Sequence, residues 1–357
     1  MIKLRRIARR ISGLIAFLIL LLIRLLFTLF PGLFEVFYFD FFFPILRTVQ
    51  SWLYPLWFLP GYLLLIIFLV ALMGFYFLKR RSIKGFFLKF LNLLFWVAAF
   101  FLLCFGMQYA DKGVAERLEL EPAPPIIDLS VIYYRTMEEA MEKRSQIPKI
   151  DKVENINQLG YSMDPNSIHQ HVKNTLEPVG YKASATRQYV REIPYFLLRK
   201  LSISGIYNPF TGESNVEGSL PGLLKYFVMA HEMAHASGIT GEGEANFVAW
   251  LSLAHSGDPF LEYAAAYFIW RQAAKPLNRK LNSEDLEKLA SSIPDELKRD
   301  RRAIYEALNR EQPWYPEISN KLNDSYLKIQ GVESGVEDYD KFLEYYLRYK
   351  RSINPSQ

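Results

Sequence analysis

Cysteine is nearly absent: Cys104 is the only one in 357 residues. It lies inside an apolar run, so a disulfide scaffold is excluded and the redox compartment is left open. Histidine is scarce as well, with five in the chain. Acidic residues almost vanish from the first 110 positions, where Glu35 and Asp40 stand against 12 lysines and arginines, a net charge of +10. A soluble cytosolic enzyme is excluded by that first third alone. Residues 111–357 carry a net charge of −5. The pI of about 9.0 therefore reflects basic flanks of apolar runs, and no nucleic-acid partner is expected. No internal repeat or low-complexity tract is present. A hydrophobic share of 51% excludes an intrinsically disordered chain.

Three apolar runs fill the N-terminal third, at about 11–30, 59–78 and 86–107. Each has about the 20 residues needed to cross a bilayer. Lys3, Arg5, Arg6, Arg9 and Arg10 precede the first run. No small-x-small cleavage site follows it, so it reads as an uncleaved helix rather than a signal peptide. Arg24, in its second half, is expected to snorkel outward or to meet Glu35 or Asp40. The stretch 35–58 is dense in belt residues such as Tyr38, Trp52, Tyr54 and Trp57, which fits an interfacial or re-entrant segment. Lys79, Arg80, Arg81 and Lys84 form a second basic cluster. The positive-inside rule puts this cluster and the N-terminus in the cytoplasm. Three crossings then leave the C-terminal region outside. Glu121–Pro125 is a Pro-rich linker. The expected organisation is a transmembrane region over 1–110, a linker over 111–125 and a domain over 126–357.

The third region reads as mainly helical, with one small sheet. An alternating stretch ends near Tyr207, Asn208 to Gly212 signals a turn, and Ser214 to Val216 is a candidate return strand. Leu220 to Ala236 reads as a helix capped by Ser219, with Pro221 in its first turn and Gly238 at its end. It is apolar nearly all round and so should be buried. A buried helix carrying His231, Glu232 and His235 needs an explanation, because unpaired polar groups are costly there.

These residues form a HExxH motif. Histidines four apart share a helix face and can reach one Zn2+ ion, while the Glu232 carboxylate sits beside a bound water as general base. Catalytic zinc needs a third protein ligand. Glu242 and Glu244 both follow within a turn-and-helix segment. His255 lies about 16 Å along the second helix from Glu244 and is read as a helix-end residue, and His169 and His171 are read as structural.

Together, the membrane runs, the stretch Gly205 to Glu213, the HExxH helix, the stretch Glu242 to Phe247 and the stretch Asn323 to Lys328 resemble a bacterial membrane-protein family. That family is classed as a domain of unknown function with a zincin core. The resemblance implies a glutamate-zincin, thermolysin-like layout, in which a Glu followed by Ala at a helix start faces back to the two histidines. On that ground Glu244 is preferred over Glu242 as the third zinc ligand. It also implies an edge strand that binds extended peptide, with Tyr207, Glu213 and Asn215 as candidates to line the cleft. A tyrosine among Tyr263, Tyr267 and Tyr326 would stabilise the oxyanion. Such enzymes often place an Asp four residues after the ligand Glu. Counted from Glu244 that position is Val248, with Asn246 as a possible substitute.

The expected fold is an α-helical membrane region with three spans plus a mainly helical α+β zincin-like domain. The expected function is a zinc metallopeptidase of the bacterial cytoplasmic membrane, cutting peptide or protein substrates on the extracytoplasmic side. The alternative is a non-catalytic zinc-binding structural or sensor membrane protein.

Overall fold

The computed structural model describes residues 11–54, 61–79, 83–123, 128–194, 197–310, 317 and 341–354. It is mostly helical and divides into two compact units. One comprises Met1–Lys112 with Asn208–Glu213, and the other Gly113–Tyr207 with Ser214–Gln357.

The first unit contains α1 (Ser12–Leu29), α2 (Phe43–Leu53), α3 (Gly61–Leu78) and α4 (Ile83–Cys104). A wide π-helical stretch, Phe34–Phe42, leads directly into α2. Among the described residues, two helical segments are long and apolar enough to cross a membrane, Ser12–Leu29 and Gly85–Cys104. The expectation of three spans is corrected by this. The run over 59–78 contributes α3, which is not one of those two.

Helices α1 and α4 pack side by side in parallel. The Gly13 N–H donates to Asn92 Oδ1 at 2.8 Å, Phe17 meets Phe95 at 5.8 Å, and the Arg24 guanidinium lies 5.6 Å over the Tyr109 ring. Gly13 permits the close approach, since a Cβ there would stand 2.3 Å from the Asn92 carbonyl oxygen. Arg24 thus pairs with an aromatic face near the helix end.

The second unit contains α5 (Leu129–Ser145), α6 (Pro165–Leu176), β1 (Val190–Ile193), β2 (Gly205–Asn208), β3 (Glu213–Glu217), α7 (Gly222–Ala236), α8 (Glu242–Ala254), α9 (Pro259–Lys280), α10 (Ser283–Ser291), α11 (Asp295–Leu308) and α12 (Lys341–Ile353), although Glu213 itself groups with the first unit. Helix α8 is central, packed by α6, α7, α9 and α12. Its Ala245, Phe247, Val248, Trp250 and Leu253 are buried. The sheet has order β1-β3-β2, with β1 and β3 parallel in the register Val190 to Ser214. Strands β2 and β3 form a hairpin in which the Glu217 N–H donates to Ser204 O at 2.9 Å. Strand β2 is therefore an outer strand.

A buried carboxylate ties three helices together. Asp300 on α11 accepts from Arg144 Nε at 2.7 Å, from the Tyr263 hydroxyl at 2.8 Å and from the Ile156 N–H at 2.7 Å. Each of its interactions is charge-assisted, which offsets the cost of burying it.

Candidate metal centre

Helix α7 begins after Pro221, which fixes the entry backbone. Ser219 makes no side-chain cap, and Gly238, at φ +113°, follows the helix end. Residues Leu223, Phe227, Ala230, Met233 and Ala234 are buried around the helix. That packing leaves His231, Glu232 and His235 within the protein, at 9%, 4% and 7% exposure.

Each histidine is oriented through its Nδ1. The His235 Nδ1–H donates to the Ile239 carbonyl at 2.8 Å, and the His231 Nδ1–H donates to Asn246 Oδ1 at 3.0 Å. Each Nε2 is then the atom left to take a metal ion or a proton, and the two face one another at 3.1 Å. Glu242 Oε2 completes the group, 3.2 Å from His231 Nε2 and 3.6 Å from His235 Nε2. Three such atoms converging in a buried site are held together by positive charge among them, supplied by a proton or by a metal ion. The separations match the edges of about 3.3 Å expected for tetrahedral ligands at about 2.0–2.1 Å. Among the described residues, these three form a group able to hold a metal ion.

The electrostatics favour positive charge at the same place. Burial lowers the His235 pKa, but Glu242, Glu232 and the Ile239 carbonyl outweigh it and lift the value to about 9. Burial raises the Glu242 carboxyl, yet the two histidines hold it well below the usual carboxylate range. For Glu232 burial dominates and raises the pKa, with His231 and His235 acting against it.

Glu232 lies against β2. Its carboxylate accepts the Tyr207 backbone N–H. Gly205 provides the room, since a Cβ there would stand 2.5 Å from Val228 Cγ1 and 2.6 Å from Glu232 Oε1. This backbone contribution from Gly205 and Tyr207 has no signature in the sequence beyond the glycine.

The carboxylate grouped with the two histidines is Glu242, whereas the resemblance favours Glu244. Helix α8 starts at Glu242, so Glu244 is rotated about 200° from it and points to the other side. Glu244 Oε1 accepts the Val114 N–H at 2.9 Å instead. Counted from Glu242, the fourth residue onward is Asn246, the residue that orients His231. A carboxylate able to bind metal and a neighbour that orients a histidine thus lie four residues apart at the start of this helix.

Other expected site residues are placed elsewhere. Asn215 is fully buried in β3. Glu213 is also fully buried and accepts the Gly61 N–H. Tyr207 is 8% exposed and acts through its backbone. Tyr263 is buried and bound to Asp300, and Tyr267 is buried beside it, at a ring separation of 6.0 Å. Tyr326 lies outside the described residues. His255 at the end of α8 bonds the Leu251 carbonyl, and His169 bonds the Ser184 carbonyl.

A family model matches residues 34–347, from the aromatic stretch before α2 into the last helix. The chain belongs to this family, described as protein of unknown function (DUF3810). No curated protein and no solved structure matches the chain. The DUF3810 match includes His231, Glu232, His235, Glu242 and Asn246 and begins after α1.

Proposed function

We propose that this DUF3810 member is a membrane-anchored zinc metallopeptidase of the glutamate-zincin type. His231, His235 and Glu242 would hold the ion. One observation carries the reading: two histidines with fixed Nδ1–H donors and a carboxylate converge on one point, and a buried glutamate stands next to them. A bound zinc ion would lower the pKa of water to about 7 and polarise a peptide carbonyl. Glu232, buried and with its pKa raised, suits a residue that takes a proton from water and returns it to the leaving amine. The outer strand β2 beside Glu232 offers backbone groups to an extended peptide.

The side of the membrane follows from the two candidate spanning helices and from the basic residues. Parallel helices that both cross do so in the same direction, so the chain between Leu29 and Ile83 must return to the first face and the chain after Cys104 leaves on the face opposite the N-terminus. The basic N-terminus belongs in the cytoplasm. The metal centre is then extracytoplasmic, and the membrane is the bacterial cytoplasmic one.

The test uses the full chain in detergent with zinc supplied, a mixed peptide library as substrate, and Glu232→Gln alongside. Cleavage by the wild type that vanishes in Glu232→Gln, with zinc retained by both, supports the reading. Zinc in both proteins with cleavage by neither contradicts it and leaves a structural or sensor zinc site.

A further inference from the structure

Residues 31–53 form one unbroken helical stretch, α-helical at Pro31–Leu33, π-helical over Phe34–Phe42 and α-helical again over α2. Its two faces differ. Val36, Phe37, Phe41, Ile45, Val49 and Trp52 are 42–74% exposed. They recur at the three-to-five-residue steps of one helical face. Tyr38, Phe43, Arg47 and Gln50 on the other face are buried. An apolar face this large is not left in water by a folded chain.

The buried face fixes where the stretch lies. The Tyr38 hydroxyl donates to the Leu103 carbonyl at 2.7 Å, at the C-terminal end of α4. Phe34 and Tyr38 also meet Phe27, near the C-terminal end of α1. Twelve residues further on, Gln50 Nε2 donates to the Pro209 carbonyl at 2.7 Å. The next residue, Phe210, stacks on Phe100 at 5.6 Å and meets Phe101 at 6.3 Å. A helix descending beside α4 would have moved about 18 Å over those twelve residues, to the level of residue 91 or so. Instead both ends stay at the level of residues 100–103. The stretch runs across the ends of the spanning helices rather than along them.

We infer that residues 31–53 form an amphipathic helix lying in the membrane surface, with Val36, Phe41, Ile45 and Trp52 buried at the boundary between headgroups and acyl chains. The apolar face is continuous with other lipid-compatible surface of the same unit, because Leu22, Leu25 and Leu29 of α1 and Phe100 of α4 are exposed too. The polar residues Arg47 and Gln50 are covered by the 209–212 turn, where Gln50 bonds two carbonyls, and the charged residues Glu35 and Asp40 are half-buried, unlike the exposed apolar positions. The partner is thus the bilayer interface itself. This rests on α1 and α4 crossing a bilayer, and does not depend on any metal.

Nitroxide depth measurement on the full chain in phosphatidylethanolamine–phosphatidylglycerol vesicles tests it. Cys104 is buried, so a label can be introduced by Val36→Cys, Phe41→Cys, Ile45→Cys and Trp52→Cys, with Leu22→Cys in mid-α1 as reference. Collision with oxygen and with a water-soluble nickel chelate gives the depth. The four labels are expected at one shallow depth, oxygen-accessible and nickel-protected, with Leu22→Cys deeper. A depth that changes steadily from position 36 to position 52 overturns the surface placement in favour of a crossing helix. Water-like access at all four with Leu22→Cys deep overturns it in favour of a protein-facing surface. Water-like access at Leu22→Cys overturns the spanning reading beneath it.

Discussion

Glu242 and Glu244 stand two residues apart on α8 and face opposite ways. Glu242 Oε2 lies 3.2 Å from His231 Nε2, while Glu244 Oε1 holds the Val114 N–H at 2.9 Å. The rotation of about 200° between them separates a group that can bind metal from one that anchors the start of the short helix Val114–Arg117.

The two glutamates therefore respond differently to substitution. Glu242→Ala is expected to weaken zinc binding on the order of 100-fold or more, since removing a ligand exceeds the 10–100-fold loss typical of a supporting residue. Glu244→Gln retains an oxygen that accepts the Val114 N–H and should leave zinc affinity within about threefold of wild type. Competition against a chromophoric chelator measures both. The opposite ranking would restore Glu244 as the ligand.

Asn246 orients His231. Asn246→Ala removes the acceptor of the Nδ1–H, and zinc affinity should fall roughly 10–100-fold. Asn246→Asp keeps an acceptor and adds charge, so it should bind zinc at least as tightly as wild type. The same chelator competition reads the pair, and equal affinity in all three proteins would remove Asn246 from the site.

Gly205 makes room for the Glu232 carboxylate. Gly205→Ala puts a methyl group where 2.6 Å separates it from Oε1, so Glu232 must shift. Peptide cleavage should drop by roughly 10–100-fold, because small displacements of a catalytic group cost about that much. Zinc content should stay unchanged, and its loss would show that the strand supports the ligands instead.

Asp300 has no exposure and three donors. Asp300→Asn leaves the buried Arg144 without its counter-charge and is expected to cost about 3–5 kcal/mol of stability. Thermal unfolding of the full chain in detergent should show a clearly lower midpoint. A shift within error would mean that water reaches Arg144.

The helix of the candidate metal centre was legible because its apolar residues, its start after Pro221 and its terminating Gly238 all agree with one another. The His231–His235 spacing placed two imidazoles on one face without any tertiary information. The third position was not legible, since moving a helix start by one residue decides which of two glutamates turns inward. Asn215 and Glu213 illustrate a second limit. Strand alternation marks two faces, but all five residues of β3 are buried, so neither face is left to solvent. The support that Tyr207 gives Glu232 comes from a backbone N–H, which every residue but proline has.

The central claim is that the His231, His235 and Glu242 donors hold zinc. The most direct measurement is the metal content of the purified full chain in detergent, by mass spectrometry, beside His231→Ala. The account predicts about one zinc per chain in the wild type and none in the variant. A folded wild-type protein that takes up no zinc when the ion is supplied in excess would contradict it.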